Sequence, residues 1–398
     1  MTVAAAPADA EPLTAAEVAA WRERFPILSR CTYLINNSLG AMPASVGDSL
    51  AEYAAVWSSK GVQAWDSDWL PQMHEVAALL GGLMGAPKGS VVVHQNVATL
   101  TSMVLSTLEL SGPRNRMVLS ADEWPGHHYL FDGCRGLGAE IVVVPSLEIG
   151  VDLERLLVAI DERTAFVVIS HVAFRSACIA DVAAVAARAR EVGALCMVDG
   201  YHAVGHLPVD VTAIDCDFYV GGSVKWLCGG PGVGYLYIRP ELAPTLRPRE
   251  VGWLGHHRPF GFEAAWEAAP QAMGWLGGTP AVPSLYAARE GYKIVARVTP
   301  ARIRATSRRL TARLVAGAQD LGVAVRTPLD ADRRGGTVTL DLGEDTEAAS
   351  QRLIDAGIIV DYRPGAGIRV GAHFFNTIEE CDRLLDTLRS TVEGSGHR

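Results

Sequence analysis

The chain has no Cys-x-x-Cys pair, no basic block and no apolar run both long and uncharged enough to span a bilayer. Each lack removes a class of function. The seven cysteines (Cys31, Cys134, Cys178, Cys196, Cys216, Cys228 and Cys381) are odd in number and scattered. That spacing gives no zinc site, so no metal is expected, and several thiols fall in apolar strand-like runs where they act as small hydrophobes. A reducing cytoplasm is the expected setting. A formal net charge of −9 with no basic helix-turn-helix segment argues against nucleic acid as a partner and against a DNA-binding regulator. No membrane partner is expected either. Met1 to Leu13 is Ala-rich with acidic residues and lacks a basic n-region and an apolar h-region, so it reads as a disordered tail rather than a signal peptide.

What is present is a large core. A length of 398 residues at 49% hydrophobic content supports one large domain and a smaller companion. Short apolar runs at 91–94, 116–120, 140–144, 165–170, 194–198, 217–221 and 233–238 read as seven strands. Helical patterns at 97–110, from about Gly126, and at 180–192 fall between them. Continuous Val/Ile/Leu strands separated by helices predict an α/β fold, with a mostly parallel seven-stranded sheet covered on both faces. Residues 241–282 are rich in Trp, His, Pro and Gly without periodicity, and a loop of that length carries function. A helical pattern from Pro283 to about Leu321 then leads into a smaller α+β unit. Its strands are read at 323–326, 337–342, 357–360 and 368–371, and its helices at 345–356 and 377–393. The expected division is an N-terminal tail and arm over 1–45, a large cofactor-binding domain over 46–282 and a small C-terminal domain over 283–398.

The chemistry concentrates in two places. Asp199 closes the apolar run Ala194 to Val198, at the carboxyl end of a buried strand, where open α/β sheets bind ligands. His202 follows three residues later. Lys225 lies between Val220-Gly-Gly222 and Gly229-Gly-Pro-Gly232, whose small residues let backbone approach a ligand. Taken alone, a lysine after a strand is usually a solvated surface residue. Together the three suit pyridoxal 5'-phosphate: a lysine able to shed its proton forms an imine with the aldehyde, and a buried aspartate keeps the pyridine nitrogen protonated.

This order of features resembles the fold type I pyridoxal-phosphate enzymes of aminotransferase class V, and within them the kynureninases. The matching stretches are Tyr33 to Gly40, Val198 to Gly205 with Pro208-Val-Asp210, Gly221 to Gly232, Gly252-Trp-Leu-Gly-His256 with Arg258-Pro-Phe260, Gly277-Gly-Thr-Pro280, and Ile368-Arg-Val-Gly371 with Phe375-Asn-Thr377. The resemblance implies that Lys225 forms the imine, Asp199 pairs with the pyridine nitrogen and His202 sits beside it. Trp124 would stack on the ring. Gln95, Asn96 and Val97 would hold the phosphate at a helix start, with the Ser223 hydroxyl in addition. Trp253 and Thr279 match residues that reach the neighbouring subunit's phosphate, which implies a homodimer with shared active sites. Arg369 matches the clamp for the substrate's α-carboxylate. Asn37, Trp65, His127 and His256 are further substrate-binding candidates, His127 being an acid–base candidate as well, with Phe260 beside Trp65 and His256 at the aryl end. His94, His171 and His206 carry no match and read as structural.

Three positions depart from that pattern. Val224 stands where kynureninases have a tyrosine that donates to the phosphate, His127 where they carry an acid, and Ile35 where an aspartate is common. The expected function is therefore PLP-dependent action on a small amino acid, with kynureninase-type hydrolytic cleavage of a Cβ–Cγ bond in front. A class V aminotransferase, β-lyase or epimerase of a specialised pathway is the alternative. Cysteine desulfurization is least favoured, because Cys381, the one cysteine of the small domain, lies in an amphipathic helical pattern rather than a mobile loop.

Overall fold

The computed structural model of the protein describes residues 10–395. Helix α1 (Ala15–Arg22) is capped by Thr14, whose hydroxyl accepts from the Glu17 N–H while Glu17 reaches back to the Thr14 N–H. Most of the expected tail lies outside the described residues, but its end is packed: Leu13 is buried and donates to Thr306 Oγ1 at 2.9 Å. Strand β1 (Thr32–Tyr33) and helices α2 (Val46–Lys60) and α3 (Leu70–Leu83) follow.

Strands and helices then alternate as β2 (Val91–His94), α4 (Val97–Leu105), β3 (Arg116–Ser120), α5 (Pro125–Gly133), β4 (Glu140–Val144), α6 (Leu153–Ala159), β5 (Thr164–Ser170), α7 (Val182–Glu191), β6 (Leu195–Asp199), the single turn α8 (Val211–Ile214), β7 (Phe218–Gly222) and β8 (Gly234–Ile238). Asparagine or aspartate caps four of these helices: Asn96, Asp152, Asp181 and Asp210 each accept from an N–H of the first turn. Helix α4 stops at Leu105 rather than running to 110, because the Ser106 and Thr107 hydroxyls bond back to the Met103 and Val104 carbonyls.

The seven strands form one sheet in the order β2-β8-β7-β6-β5-β3-β4. Strand β8 runs antiparallel to both its neighbours, and the remaining pairs are parallel. Because β3 and β5 lie side by side with β4 outside them, the strand order reverses there. The crevice beyond the carboxyl ends at such a reversal is the natural ligand site.

The long helical pattern after 282 is two helices, α9 (Val282–Val298) and α10 (Pro300–Asp320). Thr299 breaks it: the residue before a proline avoids the helical region, and here it adopts φ 75° and caps α10 through its side chain. Helix α9 lies against α2 and α3, and its Leu285, Ala288, Tyr292 and Val295 belong to the core of the large sheet. The smaller core gathers Leu310, Leu314 and Ala318 of α10 with β9 (Ala324–Val325), β10 (Thr337–Asp341), α11 (Thr346–Asp355), β11 (Ile358–Ile359), β12 (Asp361–Arg363), β13 (Gly367–Gly371) and α12 (Ile378–Ser395). Strands β12, β13, β10 and β9 make its antiparallel sheet. The strand expected over 357–360 leaves that sheet: β11 pairs in parallel with β1. Among the described residues, no helix is long and apolar enough to cross a membrane.

The arm after β1 docks on the Lys225 loop. The Gly40 N–H donates to the Val224 carbonyl at 2.7 Å, and a Cβ on Gly40 would collide with the Lys225 carbonyl oxygen. Gly40→Ala should therefore destabilise the fold by about 1–3 kcal/mol, the usual cost of overpacking. Chemical denaturation checks this, and a wild-type midpoint would show that the arm yields freely.

Candidate active site

Strand pairing brings the two chemical segments together. Asp199 ends β6 opposite Val220 of β7, and β7 runs two residues further to Gly222, so both segments leave the sheet at its carboxyl edge. There the Lys225 Nζ lies 2.7 Å from His202 Nε2. Burial, against the partial opposition of Asp199, lowers the lysine pKa from 10.5 to about 7. Burial and then the Lys225 and Arg369 charges hold the His202 imidazole well below its ordinary value, so it is a neutral acceptor. Lys225 thus carries an amine shifted toward its free form at neutral pH. Nζ also faces two aromatic rings, Tyr201 with its centroid 4.4 Å away and the half-exposed Trp124 at 5.6 Å. The Trp124 ring packs edge-on against Phe174.

Asp199 is backed by a buried chain of groups. Its Oδ1 accepts from the Tyr201 N–H at 2.8 Å, and its Oδ2 lies 3.8 Å from His127 Nδ1. The same Nδ1 is 3.3 Å from Glu123 Oε1. Glu123 also accepts from the Trp124 N–H, the Ser170 N–H and the Ser170 hydroxyl. Burial opposes the charged form of His127, but the Glu123 hydrogen bond and the Asp199 and Glu123 charges outweigh it, and its pKa is raised. Burial likewise works against an ionised Glu123, yet the His127 bond and the other donors bring its pKa below the usual value. Burial raises that of Asp199, against the pull of His127. His127, placed among the substrate contacts from sequence, is instead enclosed at 1% exposure between two carboxylates. Glu123, His127 and Asp199 each bring a ligand atom within 4.8 Å of the others, with His127 Nδ1 hydrogen-bonded to Glu123 and facing Asp199 by charge alone. The i, i+4 spacing of Glu123 and His127 at a helix start is the signal that could have disclosed it.

The residues expected at the phosphate lie at the start of α4. Gln95 and Asn96 are exposed there, and Asn96 caps the helix, so the first-turn N–H groups and the helix dipole face outward. Gly277 packs on His94, next to Gln95 in sequence, and Thr279 two residues on is exposed. Ser223 makes no such offer: its hydroxyl donates to the Val233 carbonyl at 2.8 Å and also meets the Tyr292 hydroxyl, fully buried.

At the opposite end Arg369 is 2% exposed and held on three sides. Its Nε and Nη2 donate to Asp361 at 2.9 and 2.5 Å, and its Nη1 to the Phe174 carbonyl at 2.9 Å. A guanidinium has five N–H groups, so two remain, one on Nη1 and one on Nη2. Asn37, also fully buried, leaves both amide atoms without a partner. It packs where a Cβ of Gly371 would point, and residues 369 and 371 share one face of β13. Asp361 was not foreseen, although Pro364-Gly365 is a turn signal and folding about it pairs residue 361 with 369, as observed.

Two aromatic candidates stand apart. Trp65 and Trp253 meet edge to face at 5.7 Å, with Phe260 and Phe262 on Trp253. Among the described residues, no hydrogen bond or ring contact joins this group to Lys225. His256 is occupied by its own loop: Nε2 meets the Ala265 carbonyl at 3.1 Å and Nδ1 accepts the Arg258 N–H at 3.0 Å. It is a loop brace, not a substrate contact.

The centre fits pyridoxal phosphate. Lys225 offers an amine, Asp199 a backed carboxylate, Trp124 a half-exposed ring face and α4 a helix N-terminus, while the unpartnered Asn37 amide awaits a polar group. A family model for aminotransferase class-V matches residues 32–389. A kynureninase of Pseudomonas fluorescens is 30% identical over 367 residues, 88% of this chain and 86% of that protein. An isopenicillin N epimerase of Streptomyces clavuligerus is 29% identical over 406 residues, 93% of this chain and 98% of that protein. A solved C-DES mutant with glycine covalently linked to its PLP cofactor superposes with a TM-score of 0.83 at 20% identity, covering 92% of this chain and 98% of that one.

The lowered lysine makes a direct expectation. Acylation of Lys225, followed by peptide mass spectrometry across pH, should rise to half its maximum near pH 7, because only the free amine reacts and its pKa is about 7. A half-maximum near pH 10, as for an ordinary lysine, would remove the buried-amine assignment.

Proposed function

As the chain belongs to the aminotransferase class V family, we propose that this pyridoxal-phosphate enzyme cleaves the Cβ–Cγ bond of kynurenine or a related aryl-keto amino acid with water. The observation that carries the reading is the geometry around Lys225: a free amine near neutral pH, 2.7 Å from His202, between an acid-backed end and an arginine end. The relatedness to a kynureninase over most of both chains supports the substrate class.

When bound, the cofactor supplies an electron sink for charge developing at the substrate's Cα. The protein's residues do the remainder. Lys225 Nζ takes the Cα proton and returns it. Asp199 keeps a proton on the pyridine nitrogen, and His127 with Glu123 keeps Asp199 in place. Arg369 receives the α-carboxylate on its two free N–H groups, beside the Asn37 amide. Trp124 covers a ring face and excludes water. Water delivers OH to the γ-carbon and H to the β-carbon, so that an aromatic acid and alanine leave.

The active unit is a homodimer in which Trp253 and Thr279 serve the second copy's phosphate, and the Trp65–Trp253–Phe260 group faces that copy's substrate. Sedimentation as a fully active monomer would contradict this arrangement. A second reading, epimerisation or transamination at Cα, draws on the isopenicillin N epimerase relative and on Val224, which offers no phenol beside the lysine.

Incubation with kynurenine should release anthranilate, read by its fluorescence, and alanine in equal amounts. Exchange of the α-hydrogen in D2O without anthranilate would move the assignment to the second reading. Arg369→Ala should raise KM roughly tenfold to a hundredfold, the value of a charge-assisted hydrogen bond, and leave cofactor absorbance intact. An unchanged KM would free Arg369 for a purely structural role with Asp361.

A further inference from the structure

We infer that Tyr201 is a cofactor-binding residue whose ring is the floor beneath the pyridoxal phosphate and whose hydroxyl donates to the phosphate ester. The inference rests on the cofactor assignment and goes beyond it.

The first support is the position of the reacting nitrogen. Lys225 Nζ stands 4.4 Å from the Tyr201 ring centroid, so whatever this nitrogen holds begins against that ring. The second is the direction of the side chain. At its base, the Tyr201 N–H donates to Asp199 Oδ1, which fixes the residue at the pyridine-nitrogen end. At its tip, a Cβ on Gly222 would meet the Tyr201 Cε2, Cζ and hydroxyl oxygen, each at 2.8 Å. Gly222 pairs with Gly234 across β7 and β8, and a Cβ on Gly234 would meet the Asn96 Cα and carbonyl carbon at 3.1 and 2.8 Å. With strands about 4.8 Å apart, the phenol therefore runs from the Asp199 end of the site toward the α4 N-terminus. That is the axis a cofactor takes from ring nitrogen to phosphate. Glycine at 222 is what admits the ring.

The third support is the state of the hydroxyl. Among the described residues it makes no hydrogen bond, and burial, then the Asp199 charge, push its pKa to about 12. It is a protonated donor that no described protein group occupies, open to a ligand's acceptor. The neighbouring candidates cannot serve: the Ser223 hydroxyl is spent on the Val233 carbonyl and Tyr292, and Val224 has no donor. A tyrosine could instead fill space over a glycine and do nothing more, and the hydroxyl alone separates these roles.

The test is a titration of the full chain, freed of cofactor, with pyridoxal phosphate and separately with pyridoxal, which lacks the phosphate. Tyr201→Phe should bind pyridoxal phosphate roughly tenfold to a hundredfold more weakly, as for loss of a hydrogen bond to a charged acceptor, and bind pyridoxal as wild type does. Tyr201→Leu, which also removes the floor, should weaken both. Equal pyridoxal phosphate affinity in Tyr201→Phe, or an equal loss for both ligands, overturns the phosphate contact. Unchanged pyridoxal affinity in Tyr201→Leu overturns the floor. Borohydride reduction of the reloaded wild type should fix the cofactor on Lys225. If no such adduct forms, the cofactor assignment itself fails and the inference falls with it.

Discussion

The hydrogen bond between Lys225 Nζ and His202 Nε2 ties the loop after β7 to the loop after β6, and it exists because both groups are out of water. A buried ammonium is costly, so burial pushes the lysine toward its neutral form. A protonated imidazole beside it would cost more, and His202 is accordingly held neutral. The sheet supplies the rigidity for this. Parallel pairing of β6 and β7 fixes Asp199 and the lysine loop at one edge, and the Gly40 arm packs against the lysine's own carbonyl. A nucleophilic amine at neutral pH follows from the fold.

The same reasoning explains why Asp199 needs a chain of groups behind it. A carboxylate in that position is disfavoured by burial, and by itself it would take up a proton and lose its hold on a pyridinium. His127, whose proton affinity Glu123 raises, opposes this. Glu123 is fixed in turn by two backbone N–H groups and the Ser170 hydroxyl, donors that need no side-chain charge. A histidine between two carboxylates does here what a bare carboxylate neighbour could not, since a third negative charge would push the Asp199 proton affinity upward.

The large sheet was legible because its strands are continuous Val/Ile runs, a pattern that buried parallel strands need. The grouping of Lys225, Asp199 and His202 was legible because sheet order forces strand ends together. What escaped was set by contacts distant in sequence. Whether the Ser223 hydroxyl faces a ligand depends on Val233 and Tyr292, and whether His256 is free depends on Ala265. The split of the long helical pattern was readable at Thr299-Pro300, and the Asp361–Arg369 pair at the Pro364-Gly365 turn. The assignment of α9 to the large core was not readable, because its apolar stripe fits either core until α2 and α3 are in place.

The charges then form a pattern with a direction. At the ring-nitrogen end two carboxylates, Glu123 and Asp199, flank one imidazole, His127, so acidic groups outnumber basic ones there, which suits a pyridinium. At the other end Arg369 and Arg363 both pair with the single carboxylate of Asp361, leaving one net positive charge. Lys225 lies between them and is neutral for part of the time. A ligand with one carboxylate is drawn to the arginine end. There Asp361 and the Phe174 carbonyl have already oriented the guanidinium, so little ordering cost remains for the substrate to meet. Asp361 also lowers the net attraction, which leaves hydrogen-bond geometry rather than bulk charge to decide what binds. A monoanionic carboxylate presenting two oxygens to Nη1 and Nη2 satisfies that geometry, and a lone hydroxyl or amide oxygen cannot. On the proposed reading the α-amino group of the same molecule would fall beside Lys225, whose amine, when neutral, neither repels it nor competes for the carboxylate. Amino acids would, on that reading, be selected by two compensated charge clusters with a lysine of lowered proton affinity between them.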